Sequence, residues 1–347
     1  MQKSIYLSSL LCLLLLISSC QSNQTEEQQD EESPTSTFPT TGQVERLDGQ
    51  LDQFIAPNIL PVIIAEGFDW SEGPLWVADK QMLLFSDIPP NSIYSWTEEG
   101  GKKLYLKPSG YTGEKARAGE PGSNGLLLNK AGQLVLCQHG DRRLARMDAP
   151  LDAPAPKFVT LTDSYDGKRF NSPNDAVFNS AGELYFTDPP YGLEGNVNDP
   201  AKEIPFQGVY KLGLDGKTTL LTDEMTRPNG IALSPDEKTL YVANSDPKKA
   251  IWMAFDITDS GLENGRILFD ATSMVGTERK GLPDGLKVHK SGNLFATGPG
   301  GVLILSPDGQ HLGTILTGQA TSNCAFNSDQ SQLFMTADMY VMRIGLQ

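Results

Sequence analysis

Two things are in short supply in this chain of 347 residues: long apolar patterns with helical spacing, and positive charge. The first scarcity, beside 34 glycines and 23 prolines, argues against a helical bundle and for many short strands joined by turns. The second, 28 Lys and Arg against 43 Asp and Glu, leaves a net charge of −15. That balance excludes nucleic acid as a partner, because neutralising phosphates takes grouped basic residues. It is compatible with cation binding. Cysteines number only four. Cys12 and Cys20 fall at the N-terminus, leaving Cys137 and Cys324 either to pair or to stay as buried free thiols.

The longest apolar run, Leu10 to Ile17, is too short to span a membrane. Lys3 precedes it, and it ends in Ile17-Ser18-Ser19-Cys20, which resembles a bacterial lipobox. Residues 1–20 are therefore expected to be a lipoprotein signal peptide and Cys20 the lipidation site. Gln21 follows rather than Asp, so the expected location is the outer membrane, facing the periplasm or the outside. Residues 21–45 are polar, acidic and without periodicity, which reads as a disordered tether. The domain proper is expected over 46–347, as a monomer.

Within it a repeat is visible. In "NSPNDAVFNSAGELYFTDPPYG" (171–192), Asn174 and Asp175 stand where a strand should begin, although both are poor strand residues. Equivalent segments open with Glu72, Asn124, Asn174, Asn229, Asp284 and Asn323, at spacings of 52, 50, 55, 55 and 39 residues. Each continues as strand, turn, strand, and usually two further strands. Four strands at a period near fifty predict a blade, so six units predict an all-β, six-bladed β-propeller. Neither the WD nor the kelch signature is present. The sixth unit lacks an outer strand, and "LPVIIAEG" before Glu72 is left over, so the N-terminal strand is expected to close the last blade.

The residue before each inner strand sits at one mouth of the channel, near the axis. Six such positions predict a ring of two carboxylates and four amides, and the Gly or Asp that usually follows suits a bend. Oxygen donors without thiolate or imidazole are hard ligands for a divalent cation. Such a cation can polarise a carbonyl or activate water.

"WSEGPLW", "PNDAVFNSAGELYFTDPPYG", "RPNGIALSPD" and "PDGLKVHKSGNLFATG" resemble the senescence marker protein/regucalcin/gluconolactonase family from about Phe68 onward, closest to its gluconolactonase-like branch. The resemblance implies one divalent metal, Ca²⁺ first and Mg²⁺, Mn²⁺ or Zn²⁺ after it, held by Glu72, Asn174, Asn229 and Asp284. It implies hydrolysis of a sugar lactone, with Asp284 as catalytic base. Asn124, His139, Arg169 and Asn323 are expected to meet substrate. The regucalcin-like branch has an Arg two residues before the third-blade Asn; here that position is Ser172, with Arg169 five before. A phosphotriesterase-like hydrolase and a non-catalytic binding propeller are the alternatives.

Overall fold

The computed structural model describes residues 38–347. The signal peptide expected over 1–20, its Cys20, and the tether as far as residue 37 lie outside the described residues. Six antiparallel sheets, spanning 71–106, 123–162, 176–222, 228–270, 286–316 and 321–345, are blades 1 to 6. Their inner strands are Ser71–Val77, Ser123–Leu128, Ala176–Phe178, Pro228–Leu233, Leu286–Val288 and Thr321–Phe326.

Val62–Glu66 pairs with Tyr340–Gly345 and supplies the missing strand of blade 6, as the leftover segment predicted. The domain begins earlier than 46, however. Gln43–Arg46 adds a fifth strand to blade 5 by pairing with His311–Leu316, and Thr40 bridges to Val62. Glu45 also meets Arg279 at 2.5 Å. Of this strand's side chains only Val44 packs on the core, so polar composition hides it; backbone pairing and the polar ties of Glu45 and Arg46 hold it.

The core lies between blades, where alternate side chains of facing sheets meet. Between blades 5 and 6, Phe295 and Ile304 pack with Leu333 and Met335. Leu51, Phe54 and Ile55, in and just after the short helix Gly49–Gln53, complete that layer. Fully burying each such side chain is worth roughly 1.5–3 kcal/mol. His289 belongs to the same layer, edge-on to Phe54 at 5.3 Å. Cys137 and Cys324 are buried free thiols on blades 2 and 6.

Candidate functional site

At the expected ring the inner ladder breaks in every blade. In blades 1, 2, 4 and 6 the register shifts between Glu72 and Leu75, Ser123 and Leu126, Pro228 and Ile231, and Thr321 and Asn323. In blades 3 and 5 pairing begins only at Ala176 and Leu286, two residues past Asn174 and Asp284. Such irregularities re-aim side chains, which answers why polar residues stand at these strand starts.

The glycines that follow serve close approach more than bending. Only Gly73 has a left-handed backbone (φ 52°). A Cβ on Gly73 would lie 2.1 Å from the Asn124 carbonyl oxygen, one on Gly230 2.2 Å from that of Asp284, and one on Gly285 1.9 Å from Asn323 Cγ. Each glycine thus lets one ring position nest against the next. Hydroxyls on second strands add latches: Ser86 Oγ donates to the Asn124 carbonyl (2.9 Å) and Thr187 Oγ1 to that of Asn229 (2.6 Å). Gly230→Ala should therefore cost about 1–3 kcal/mol through forced separation of blades 4 and 5. A thermal melt identical to wild type would show that the nesting is not under strain.

Glu72, Asn124, Asn174, Asn229 and Asp284 line one cavity of about 610 Å³. Glu72 is 1 % exposed, and its Oε2 accepts from Gly73 N at 2.5 Å and from Asn323 Nδ2 at 3.3 Å. Burial, abetted by the field of Asp175 and opposed by the Gly73 N–H, pushes its carboxyl up to about 8. Burial likewise holds Asp284 well above the ordinary carboxylate range, with the charges of Glu72, Asp175 and Glu120 acting in the same direction. Two acids crowded at one point favour protons unless a cation takes their place.

Other expected contacts are placed elsewhere. Asn323 is buried beneath the ring, its amide directed to Glu72 and to Asp175 Oδ2 (3.4 Å), while Lys287 Nζ reaches its Oδ1 at 3.2 Å. Lys287 also lies 3.9 Å from Asp175. Asn323 is absent from the cavity lining; in blade 6 the ladder shift falls before the ring residue, between Thr321 and Asn323, and Asn323 pairs with Thr336. Arg169 lies on the exposed hairpin Ser164–Tyr165/Lys168–Arg169, its guanidinium donating to the Asp141 carbonyl at 3.0 Å. That hairpin holds it away from the cavity lining, so Arg169 is no substitute for an arginine at Ser172. Ser172 itself is consumed by turn bonds to Asp188 and Pro189. His139 is fully buried behind the cavity wall, with Nδ1 3.3 Å from Glu120 Oε2.

Tyr191, in the TDPPYG segment that is a candidate for shaping the pocket, lines the cavity, and so do Glu120 and Arg227, which the sequence did not mark. Glu120 lies on a loop, where no strand register marks it. Arg227 stands two residues before Asn229, the offset that the regucalcin-like branch has in blade 3, here one blade on.

The donors present suit a hard divalent cation. Asn124 Oδ1, Asn229 Oδ1 and Asp284 Oδ1 are buried acceptors without a donor, and such oxygens are costly unless satisfied. With Glu72 they offer carboxylate and amide oxygens only, the set that Ca²⁺ and Mg²⁺ take. No group of three or more His, Cys, Asp or Glu suited to a metal occurs among the described residues, so the two carboxylates here need other oxygen ligands beside them, and the amides are at hand.

The family model described as "SMP-30/Gluconolactonase/LRE-like region" matches residues 70–338. A gluconolactonase of Zymomonas mobilis is 40% identical over 312 residues, covering 88% of this chain and 86% of that protein. The structure of a gluconolactonase from Xanthomonas campestris superposes with a TM-score of 0.75 at 30% identity, covering 89% of this chain and 98% of that one. The calcium-binding protein regucalcin from Agrobacterium tumefaciens shares the fold at 18% identity, with a TM-score of 0.63 over 82% of this chain and 92% of that one.

Proposed function

Because the chain belongs to the SMP-30/gluconolactonase/LRE-like family, we propose that it is a lactonase that opens sugar lactones to hydroxy acids with a divalent cation at the ring. The observation that carries this reading is the set of donorless buried oxygens at Asn124, Asn229 and Asp284 on the cavity floor beside Glu72. When bound there, Ca²⁺ or a similar ion supplies polarisation of the lactone carbonyl and charge stabilisation as an oxyanion develops.

The chain's residues do the rest. Glu72, Asn229 and Asp284 would hold the cation, with Asn174 and Asn124 supplying further amide oxygens in the same cavity; the two carboxylates match its charge and the amides add oxygens without excess charge. The carboxylate oxygen of Asp284 that the cation does not take accepts a proton from water as the water oxygen bonds to the carbonyl carbon. The ring C–O bond then breaks, and the proton passes to the departing alkoxide. Trp70, Val275 and Leu282 wall the cavity with apolar surface. Water is thereby limited and the charges strengthened.

The test is a substrate panel with cation in excess: glucono-1,5-lactone, a pentonolactone, an unsubstituted lactone and an aryl phosphotriester. The sugar lactones should be hydrolysed with the highest kcat/KM. Faster turnover of the phosphotriester would overturn the substrate class, and ligand binding with no turnover would make the domain a binding module.

A further inference from the structure

Ten arginines occur in the chain, all within the described residues. Nine place a side-chain nitrogen on an oxygen of the protein, as Arg142 does on Phe170 and Arg143 on Gln138. The others follow suit. Arg227 is the exception. Its backbone N–H donates to Asn244 Oδ1 at 2.8 Å, which anchors the residue, but its guanidinium makes no hydrogen bond or ion pair among the described residues. The nearby acid that feels its charge, Asp246, is already engaged by Thr226 Oγ1 (2.8 Å) and the Lys248 N–H (2.9 Å).

That guanidinium is half-buried in the wall of the cavity that holds the ring. Three carboxylates, Glu72, Glu120 and Asp284, line the same cavity, and Arg227 is its single cationic side chain among the described residues. With a divalent cation added, the lining is electrically neutral, which suits an uncharged ligand rich in oxygen. A guanidinium presents five N–H donors in a rigid fork, matched to pairs of neighbouring oxygens. Vicinal hydroxyls of a sugar lactone offer such pairs; an unsubstituted lactone does not.

We propose that Arg227 is the specificity-determining residue of the site, donating to the hydroxyls of a polyhydroxylated lactone while the ring acts on its carbonyl. The inference rests on the lactonase reading and says which lactones the cavity prefers. A site that hydrogen-bonds hydroxyls discriminates strongly against ligands lacking them, because its donors are then left unpaired.

The experiment compares wild type, R227A and R227K on glucono-1,5-lactone and δ-valerolactone with cation in excess. R227A should raise KM for gluconolactone about tenfold or more, leaving δ-valerolactone within about twofold, as ring chemistry is untouched. R227K should recover only part, since an ammonium lacks the fork. Equal losses on both lactones, or no loss on either, would overturn the assignment. A protein that turns over no lactone sinks the lactonase reading instead, and calorimetry with D-gluconate then decides Arg227. Weaker binding in R227A supports it, and equal affinity in both proteins overturns it.

Discussion

Asp284→Asn is expected to lower kcat for a sugar lactone by about 10²–10⁴-fold, the span that a positioned acid or base contributes. Asparagine keeps the size of the side chain. It also keeps the backbone bond from Asp284 N to the Thr297 carbonyl (3.0 Å) and the nesting of Gly230 on the Asp284 carbonyl. The fold should therefore survive, as the melting temperature will report. What disappears is a negative charge beside the cation and the oxygen that accepts a proton. Glu72→Gln separates the two effects, because Glu72 already accepts from Gly73 and Asn323 and has less freedom to take a proton from water. With cation saturating, Glu72→Gln should recover most of its turnover and Asp284→Asn should not. An Asp284→Asn protein within about threefold of wild type under those conditions would remove Asp284 as proton acceptor.

Stripping the cation is the second large effect, and pH sets its size. Burial pushes Glu72 up to about 8 and raises Asp284 as well, so Glu72 holds its proton at neutral pH in the protein without cation. Binding a cation displaces the Glu72 proton, so affinity should rise about tenfold per pH unit below about pH 8 on account of that group. The stability sign follows from the same shift. Between the ordinary carboxylate value of 4.5 and about 8 the unfolded chain gives up the Glu72 proton while the folded chain keeps it. Stability of the metal-free protein therefore falls as pH rises through that window. A bound cation cancels this loss. Melting curves with and without Ca²⁺ should accordingly diverge between about pH 5 and pH 8, and chelated protein should lose lactone turnover at every pH. A gap that narrows with rising pH would mean that the buried acids do not face the ion.

The repeat exposed most of this in advance. A propeller fixes where each blade begins, so Glu72, Asn124, Asn174, Asn229 and Asp284 could be aligned by spacing, and all five line one cavity. Val62–Glu66 was legible for the same reason, as an apolar strand without a partner in its own unit. Features set by loops and by blade-to-blade contact were not. Glu120 projects from a loop, and Asn323 shares the spacing but lies after its ladder shift and outside the cavity lining, which no composition announces. Arg227 lies within the RPNG motif, but the motif alone does not tell a guanidinium that lines the cavity from one that bonds to the protein. Gln43–Arg46 pairs through its backbone, which a reading of side chains passes over.

Asn323, Asp175 and Lys287 cross the axis directly beneath Glu72. On their far side, Asp175 and Lys287 face a separate, mostly apolar hollow of about 550 Å³. The two hollows share no lining residue, and these bonded side chains stand between them. A molecule seated against Glu72 and one seated in the far hollow would therefore occupy distinct compartments, joined through the Asn323 amide and the Lys287 ammonium.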